Sequence, residues 1–197
     1  MAGVIILSPG RSGSSLVAGI FAAHGLWTGN CRKADRWNRK GYFENNRLKN
    51  LMIGRYGRPF LGPYPSPDDQ WVRYVKGTLK TEGHNGEDWL YKCGAVYWQL
   101  WEPFEPVFVK VWRPVDDILA SYDRCRFLSR WTPAERRKIV ERQHDAMRRI
   151  EGPDIDSRAL VAGNYTQAKS ALRSVGLRMD VPKIDAFIDR RAFHEAN

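Results

Sequence analysis

Two short stretches of this chain collect side chains able to grip phosphate. The first is Pro9-Gly10-Arg11-Ser12-Gly13-Ser14-Ser15. A glycine-containing turn between a strand and a helix presents backbone N–H groups, and the helix adds its positive end. Together they hold an anion without any special side chain. Gly10 and Gly13 permit close backbone approach, Arg11 brings a fixed charge, and Ser12, Ser14 and Ser15 bring hydroxyl donors. A tight turn alone requires fewer donors. The second stretch runs from Arg113-Pro114 through Asp116-Asp117 to Ser121. An arginine at a strand end forks onto two phosphate oxygens, and a serine on the following helix adds a third bond.

What the first loop lacks also carries meaning. The GxxxxGK[ST] pattern of nucleotide triphosphatases needs a lysine directly before its last hydroxyl residue. Serine stands there in this chain, and no strand ending in a magnesium-binding aspartate follows. Both features weaken an ATP-hydrolysing reading. The three cysteines, Cys31, Cys93 and Cys125, are widely spaced with no CxxC pair. That pattern argues against a disulfide framework and against structural zinc. His24 falls on an apolar helical stripe, His84 in a Gly/Asn loop expected to be exposed, and His144 among charges on an expected solvated face. None has a partner at metal-ligand spacing, so no metal is expected.

The elements that must position these residues follow from hydrophobic pattern. Val4–Leu7 is an unbroken, β-branched-rich run that suits a buried parallel strand. Leu16, Val17, Ile20, Phe21 and His24 then recur at helical spacing until Gly25. A short helix is expected over Asn46–Ile53, a loop or cover over Tyr56–Trp71 with its prolines at 59, 63, 65 and 67, and a helix over Val72–Glu82. Trp89–Cys93 reads as a second strand closed by Gly94, with a short helical stretch to Trp101, and Val107–Trp112 as a third strand. Asp116–Arg130 looks helical, with Ile118, Leu119, Tyr122 and Cys125 on one stripe. Thr132 as N-cap, Pro133 and a capping-box Glu135 start a helix that continues to Ile150. A fourth strand is expected at Ala159–Val161, and helices over Gln167–Val175 and Pro182–Arg190.

Strands alternating with helices imply an α/β fold in three layers, α/β/α, around a central parallel sheet. Ligand chemistry then belongs at the C-terminal ends of the strands. The residues singled out fall there: the loop after the first strand, Lys92 at the end of the second, Arg113 after the third.

Composition bounds the rest. A length of 197 residues fits a single domain at roughly 150 residues per domain, with residues 28–88 as an expected acceptor-binding or cover segment. Hydrophobic residues at 43% and charged residues at 27% supply a core and exclude disorder. No apolar run approaches the ~20 residues of a membrane span. The apolar start has no basic flank, so no secretory signal is expected and a cytoplasmic location is the default. The 32 basic against 22 acidic residues leave a charge of +10, which favours an anionic partner. Glu135-Arg136-Arg137-Lys138 with Arg142, Arg148 and Arg149 reads as a solvated face, because Glu141, Asp145 and Glu151 are interspersed.

Taken together in this order and spacing, the two phosphate-gripping stretches resemble motifs of the sulfotransferase family. Pro9–Ser15 looks like the family's 5′-phosphosulfate loop, P-x-[RK]-[ST]-G-[ST]-[ST], and Arg113 through Ser121 looks like its 3′-phosphate motif. Gly41-Tyr42-Phe43-Glu44-Asn45 is similar to a segment common in bacterial members, and Asn164-Tyr165 with Ala186-Phe187-Ile188-Asp189 to the usual C-terminal end. The resemblance implies a P-loop NTPase-like sulfotransferase fold. It also implies metal-free transfer of a sulfuryl group from 3′-phosphoadenosine 5′-phosphosulfate (PAPS) to a hydroxyl or amine, leaving adenosine 3′,5′-bisphosphate (PAP). By resemblance, Arg11 stands against the bridging oxygen and sulfate. Gly10 belongs to the same loop, Ser12, Gly13, Ser14 and Ser15 hold the 5′-phosphate, and Arg113 and Ser121 hold the 3′-phosphate.

The general base departs from the best-known members. Cytosolic animal enzymes end their second strand in Lys-Thr-His, whereas this chain reads Lys92-Cys93-Gly94. Lys92 remains able to stabilise transferred charge. Other branches of the family use a glutamate, and Glu44 is the candidate base, provided its pKa is raised or its position fixed. A capping role for Glu44 at the helix near Asn46 is the competing reading. The family's late Arg-Lys-Gly contact is missing, with Arg190-Arg191 as a candidate substitute. Two other functions stay in view: a small-molecule kinase using ATP through the same loop, and a basic nucleic-acid-binding module, which no groove-reading or base-stacking motif supports. The acceptor (sugar, lipid, peptide or small metabolite) and the oligomeric state are left open.

Overall fold

Successive residues of the first strand serve two different cores. Val4 and Ile6 face one, Ile5 and Leu7 the other, and all four are fully buried. Such two-sided burial is what an unbroken apolar run dictates when side chains alternate across a sheet. The computed structural model describes residues 3–36 and 38–188. Its elements run β1 (Gly3–Ser8), α1 (Ser14–Ala23), α2 (Asn46–Tyr56), α3 (Asp69–Thr81), β2 (Trp89–Gly94), a 3₁₀ helix (Ala95–Phe104), β3 (Val107–Trp112), α4 (Val115–Cys125), α5 (Pro133–Arg148), β4 (Asp154–Asp156), α6 (Ser157–Val161), α7 (Thr166–Ser174) and α8 (Val181–Phe187).

The four strands form one sheet in the order β2-β1-β3-β4, and every pairing is parallel. Ile6 lies beside Lys92 on one side and Val109 on the other. One face carries α1, α7 and α8 through Val17, Phe21, Leu172 and Ile184. The opposite face carries α2, α3, the 3₁₀ helix and α5 through Leu48, Val75, Leu100 and Met147. The layering is therefore α/β/α, as the alternation of elements implied. At the centre of the second core, Trp71, Trp89, Tyr91 and Trp101 pack ring on ring, Trp101 lying 5.5 Å from Trp71 and 4.6 Å from Tyr91. The Trp71 indole donates to the Leu100 carbonyl at 2.7 Å, which satisfies its polar edge in the dry interior.

Some expectations change. The fourth strand is not Ala159–Val161 but Asp154–Asp156, and Ala159–Val161 belongs to α6. The cause is Asp156, whose carboxylate accepts from the N–H groups of Arg158 and Ala159 and so caps a helix where the apolar triplet read as strand. The helix after β3 stops at Cys125 rather than Arg130. Arg126 takes a left-handed conformation (φ 52°), and the Phe127 N–H closes onto the Tyr122 carbonyl. His144 is not on a solvated face: it is 6% exposed, in line with Val140 and Met147, and its ring lies 5.1 Å from Trp112. Thr132 and Glu135 do form the reciprocal capping box of α5. The last helix is seen to Phe187; Asp189 and the Arg190-Arg191 pair lie outside the described residues. No described helix is long and apolar enough to cross a membrane.

Candidate functional site

The strand order decides where the site lies. From β1 the chain leads by way of α1 to β2 on one side, and from β3 it leads to β4 on the other. Loops that diverge from adjacent strands open a crevice between them. The loop after β1 holds Arg11 in the left-handed region (φ 66°), followed by Gly13 (φ 90°) as the N-cap of α1. An arginine there costs about 1 kcal/mol or more, and such strain persists where surrounding bonds impose it. Those bonds are present. Arg11 Nε donates to Ser121 Oγ at 3.2 Å, and Arg113 Nη1 donates to the Arg11 carbonyl at 3.2 Å. Burial pulls the Arg113 guanidinium below its usual range while Asp117 opposes the shift. No side chain caps α1 and no acid sits in its first turn, so its positive end is unneutralised.

Two hydroxyls beside this loop are buried without a hydrogen-bond partner: Ser12 Oγ and Tyr122 Oη. Burial also pushes the Tyr122 phenol well up. A Cβ on Gly10 would come within 3.2 Å of the Phe127 ring and 3.7 Å of Tyr122 Oη, so a larger residue here would press on the Phe127 side chain.

One strand further along the sheet edge, Lys92 Nζ reaches Glu44 Oε1 at 2.7 Å, and Lys49 Nζ pairs with Glu44 Oε2. Glu44 arrives there because its neighbours anchor the backbone. Asn45, not Glu44, caps α2, accepting from the Leu48 N–H at 3.0 Å and donating to Glu82 Oε2 at 2.6 Å. Phe43, left-handed at φ 53°, packs its ring 5.8 Å from Phe187. The position of Glu44 is thus fixed. Burial by itself would raise its carboxyl, but Lys92 and Lys49 outweigh that and hold it at about 2. The raised pKa that a strong base wants is absent, because one carboxylate faces two ammonium groups.

These groups share one cavity of about 630 Å³. Its walls include Gly10, Arg11, Gly13, Ser14, Ser15, Glu44, Lys92, Arg113 and Ser121. Of the residues the sequence marked, Ser12 alone stays out of the wall, wholly buried beneath the loop. Residues that sequence reasoning did not mark also line it. Lys49, Met52 and Ile53 stand one helical turn apart on α2, a spacing that could have been found, whereas Gln143, from α5, gives no sequence signal. The proline-rich stretch divides by residue: Arg58 and Phe60 face the cavity, while Trp71 is core and Tyr64 packs against it beneath the Arg142 guanidinium, 4.2 Å from the ring centroid. Among the described residues, ten basic side chains and a single carboxylate line the cavity.

The same architecture occurs in solved structures. The sulfotransferase domain of the olefin synthase of Synechococcus PCC 7002 superposes with a TM-score of 0.59 at 13% identity, covering 96% of this chain and 77% of that one. The sulfotransferase STF1 of Mycobacterium tuberculosis H37Rv superposes with a TM-score of 0.51, also at 13% identity, covering 94% of this chain and 70% of that one. The fold is sulfotransferase-like. No family model matches the chain, and no curated protein matches it in sequence. At such low identity the sulfotransferase likeness is one of backbone architecture, and chemistry has to be argued from the side chains.

Proposed function

We propose that this chain transfers a sulfuryl group from PAPS to a hydroxyl or amine acceptor by in-line displacement. One observation carries the reading: Arg11 and Arg113 from two diverging loops meet Ser121 of α4, with the Lys92–Glu44 pair next along the same sheet edge. The donor set fits the cosubstrate. An uncapped helix end with Ser14 and Ser15 suits a 5′-phosphate, and Arg113 with Ser121 suits a 3′-phosphate. The orphaned hydroxyl of Tyr122 is a further donor within the same wall.

PAPS supplies the activated sulfuryl group when bound. The chain's own part is charge and placement. Arg11 and Lys92 set positive charge where negative charge accumulates on the departing phosphate. Glu44 is ionised at any pH well above 2, and it receives the acceptor proton on a carboxylate oxygen. With both lysines in contact it is a weak base. An anionic sulfonate competing for Lys92 removes one of the two restraints and strengthens it.

A thermal-shift titration with PAP, beside ADP and ATP with magnesium, tests this reading. A ligand at ~100 times its dissociation constant adds about 2.7 kcal/mol, a melting rise of roughly 5–11 °C for a domain of this size. Stabilisation by the bisphosphate alone, abolished in Arg113→Ala, is the expected result. Stronger stabilisation by ATP with magnesium would replace sulfuryl transfer with the kinase reading.

A further inference from the structure

The cavity has a direction. Along the sheet edge, Arg113 and Ser121 lie at the β3 end, the Arg11 loop at β1, Lys92 at β2, and Glu44 with Lys49 beyond Lys92. If the nucleotide occupies the β3 and β1 portion, as the proposed function has it, the acceptor must enter beyond Lys92. The inference therefore rests on that reading.

That far end has two kinds of wall. Met52 and Ile53 offer apolar surface, and Lys49 and Arg58 offer charge, while Phe60, its ring 6.3 Å from Trp131, lines the stretch towards α4 and α5. Glu44 is the only carboxylate lining the cavity among the described residues, and it already faces two lysines. Arg58 is exposed at the rim and pairs with no carboxylate among the described residues. The backbone leading into it is anchored, since the Gly57 carbonyl accepts from the Tyr97 hydroxyl at 2.6 Å. An exposed arginine at the mouth of an apolar recess, with no acid of its own, matches a carboxylate or phosphate on an otherwise apolar ligand.

We propose that the acceptor is an amphipathic anion: a hydroxyl or amine compound whose apolar body packs on Met52 and Ile53 and whose acidic group is bound by Arg58. The reacting hydroxyl or amine then lies at Glu44, and the acidic group lies at the rim.

The test uses a matched pair of phenols, para-hydroxyphenylpropionate and its neutral amide. Each is titrated calorimetrically at low salt into the full chain saturated with PAP. The carboxylate is expected to bind at least tenfold more tightly than the amide. Arg58→Gln brings that ratio close to one, Arg58→Glu inverts it, and Arg58→Lys retains most of it. Arg55→Gln serves as a control, because Arg55 is engaged by Asp68 and Gln70 outside the cavity, and leaves the ratio unchanged. PAP affinity stays the same in all these variants. Equal binding of amide and carboxylate, a ratio unmoved by Arg58→Glu, or no binding of either probe to a chain that does bind PAP overturns the proposal. Failure of PAP itself to bind the unaltered chain is a different result, which removes the sulfuryl-transfer reading as well.

Discussion

Glu44→Gln separates the electrostatic account of the site from mere proximity of charged groups. The carboxyl sits at about 2 in the folded chain against an ordinary 4.5, a difference that corresponds to about 3 kcal/mol favouring the folded state when the group is ionised. The side chain is 19% exposed, so modest screening leaves about 2–3 kcal/mol. Because the folded value is the lower one, this stability is fully present above pH 4.5 and is lost as pH falls towards 2. The glutamine variant keeps the shape but leaves the Lys92 ammonium, 8% exposed, without a counter-charge. At pH 7 it should melt roughly 5–8 °C lower than the unaltered chain. Urea titrations from pH 7 down to pH 2.5 should show the gap between the two proteins closing below pH 4.5. In a Lys92→Met background the same substitution should cost less than half as much, since only Lys49 remains to be stranded. A gap that stays constant across this pH range, or full additivity of the two substitutions, would refute the claim that the lysines hold Glu44 ionised. Turnover supplies a second readout: the glutamine cannot accept a proton, so an unchanged rate constant would remove Glu44 as the base.

Two glycine substitutions should move stability in opposite directions. Gly19→Ala places a Cβ within 1.9 Å of the Phe187 ring and should destabilise the α1–α8 contact by about 1–3 kcal/mol. Gly77→Ala, in α3 with nothing within 4 Å, should stabilise by about 1 kcal/mol; chemical denaturation of both variants checks the pair. Burial, with Arg148 adding to it, lowers the His144 pKa from its ordinary 6.5. The unfolded chain then takes up a proton at higher pH than the folded one, so stability declines as pH drops below 6.5. His144→Gln should flatten that decline in melts taken between pH 7 and pH 5.

The sequence marked the site more fully than it marked the scaffold's far side. Loop, arginine and serine stand at strand ends because short apolar runs punctuated by Gly or Pro have one structural solution in a parallel sheet. Lys92 could be assigned for the same reason. The fourth strand was misplaced because three residues carry little periodicity, and the capping carboxylate of Asp156 outweighed the apolar Ala159–Val161. His144 looked solvated because its sequence neighbours are charged, yet on a helix its spatial neighbours are Val140 and Met147. The ionisation state of Glu44 was illegible for a deeper reason. It depends on Lys49, five residues on, and Lys92, 48 residues on, arriving at opposite oxygens of one carboxylate. No local pattern encodes that meeting.

The cluster of Trp71 and Trp101 with Trp89, the first residue of β2, has an optical consequence. Indole rings in dry surroundings absorb and emit differently from rings in water, and three packed together against Tyr91 couple their transitions. Unfolding should therefore produce a large red shift in emission and erase a strong near-ultraviolet dichroism. No tryptophan among the described residues lines the cavity. Nucleotide can arrive and leave without touching these three rings, so their share of the emission reports the integrity of the sheet, whereas Trp131, 6.3 Å from the cavity-lining Phe60, is placed to sense occupancy. A change in the emission of these three on adding nucleotide would have to travel through β2 itself.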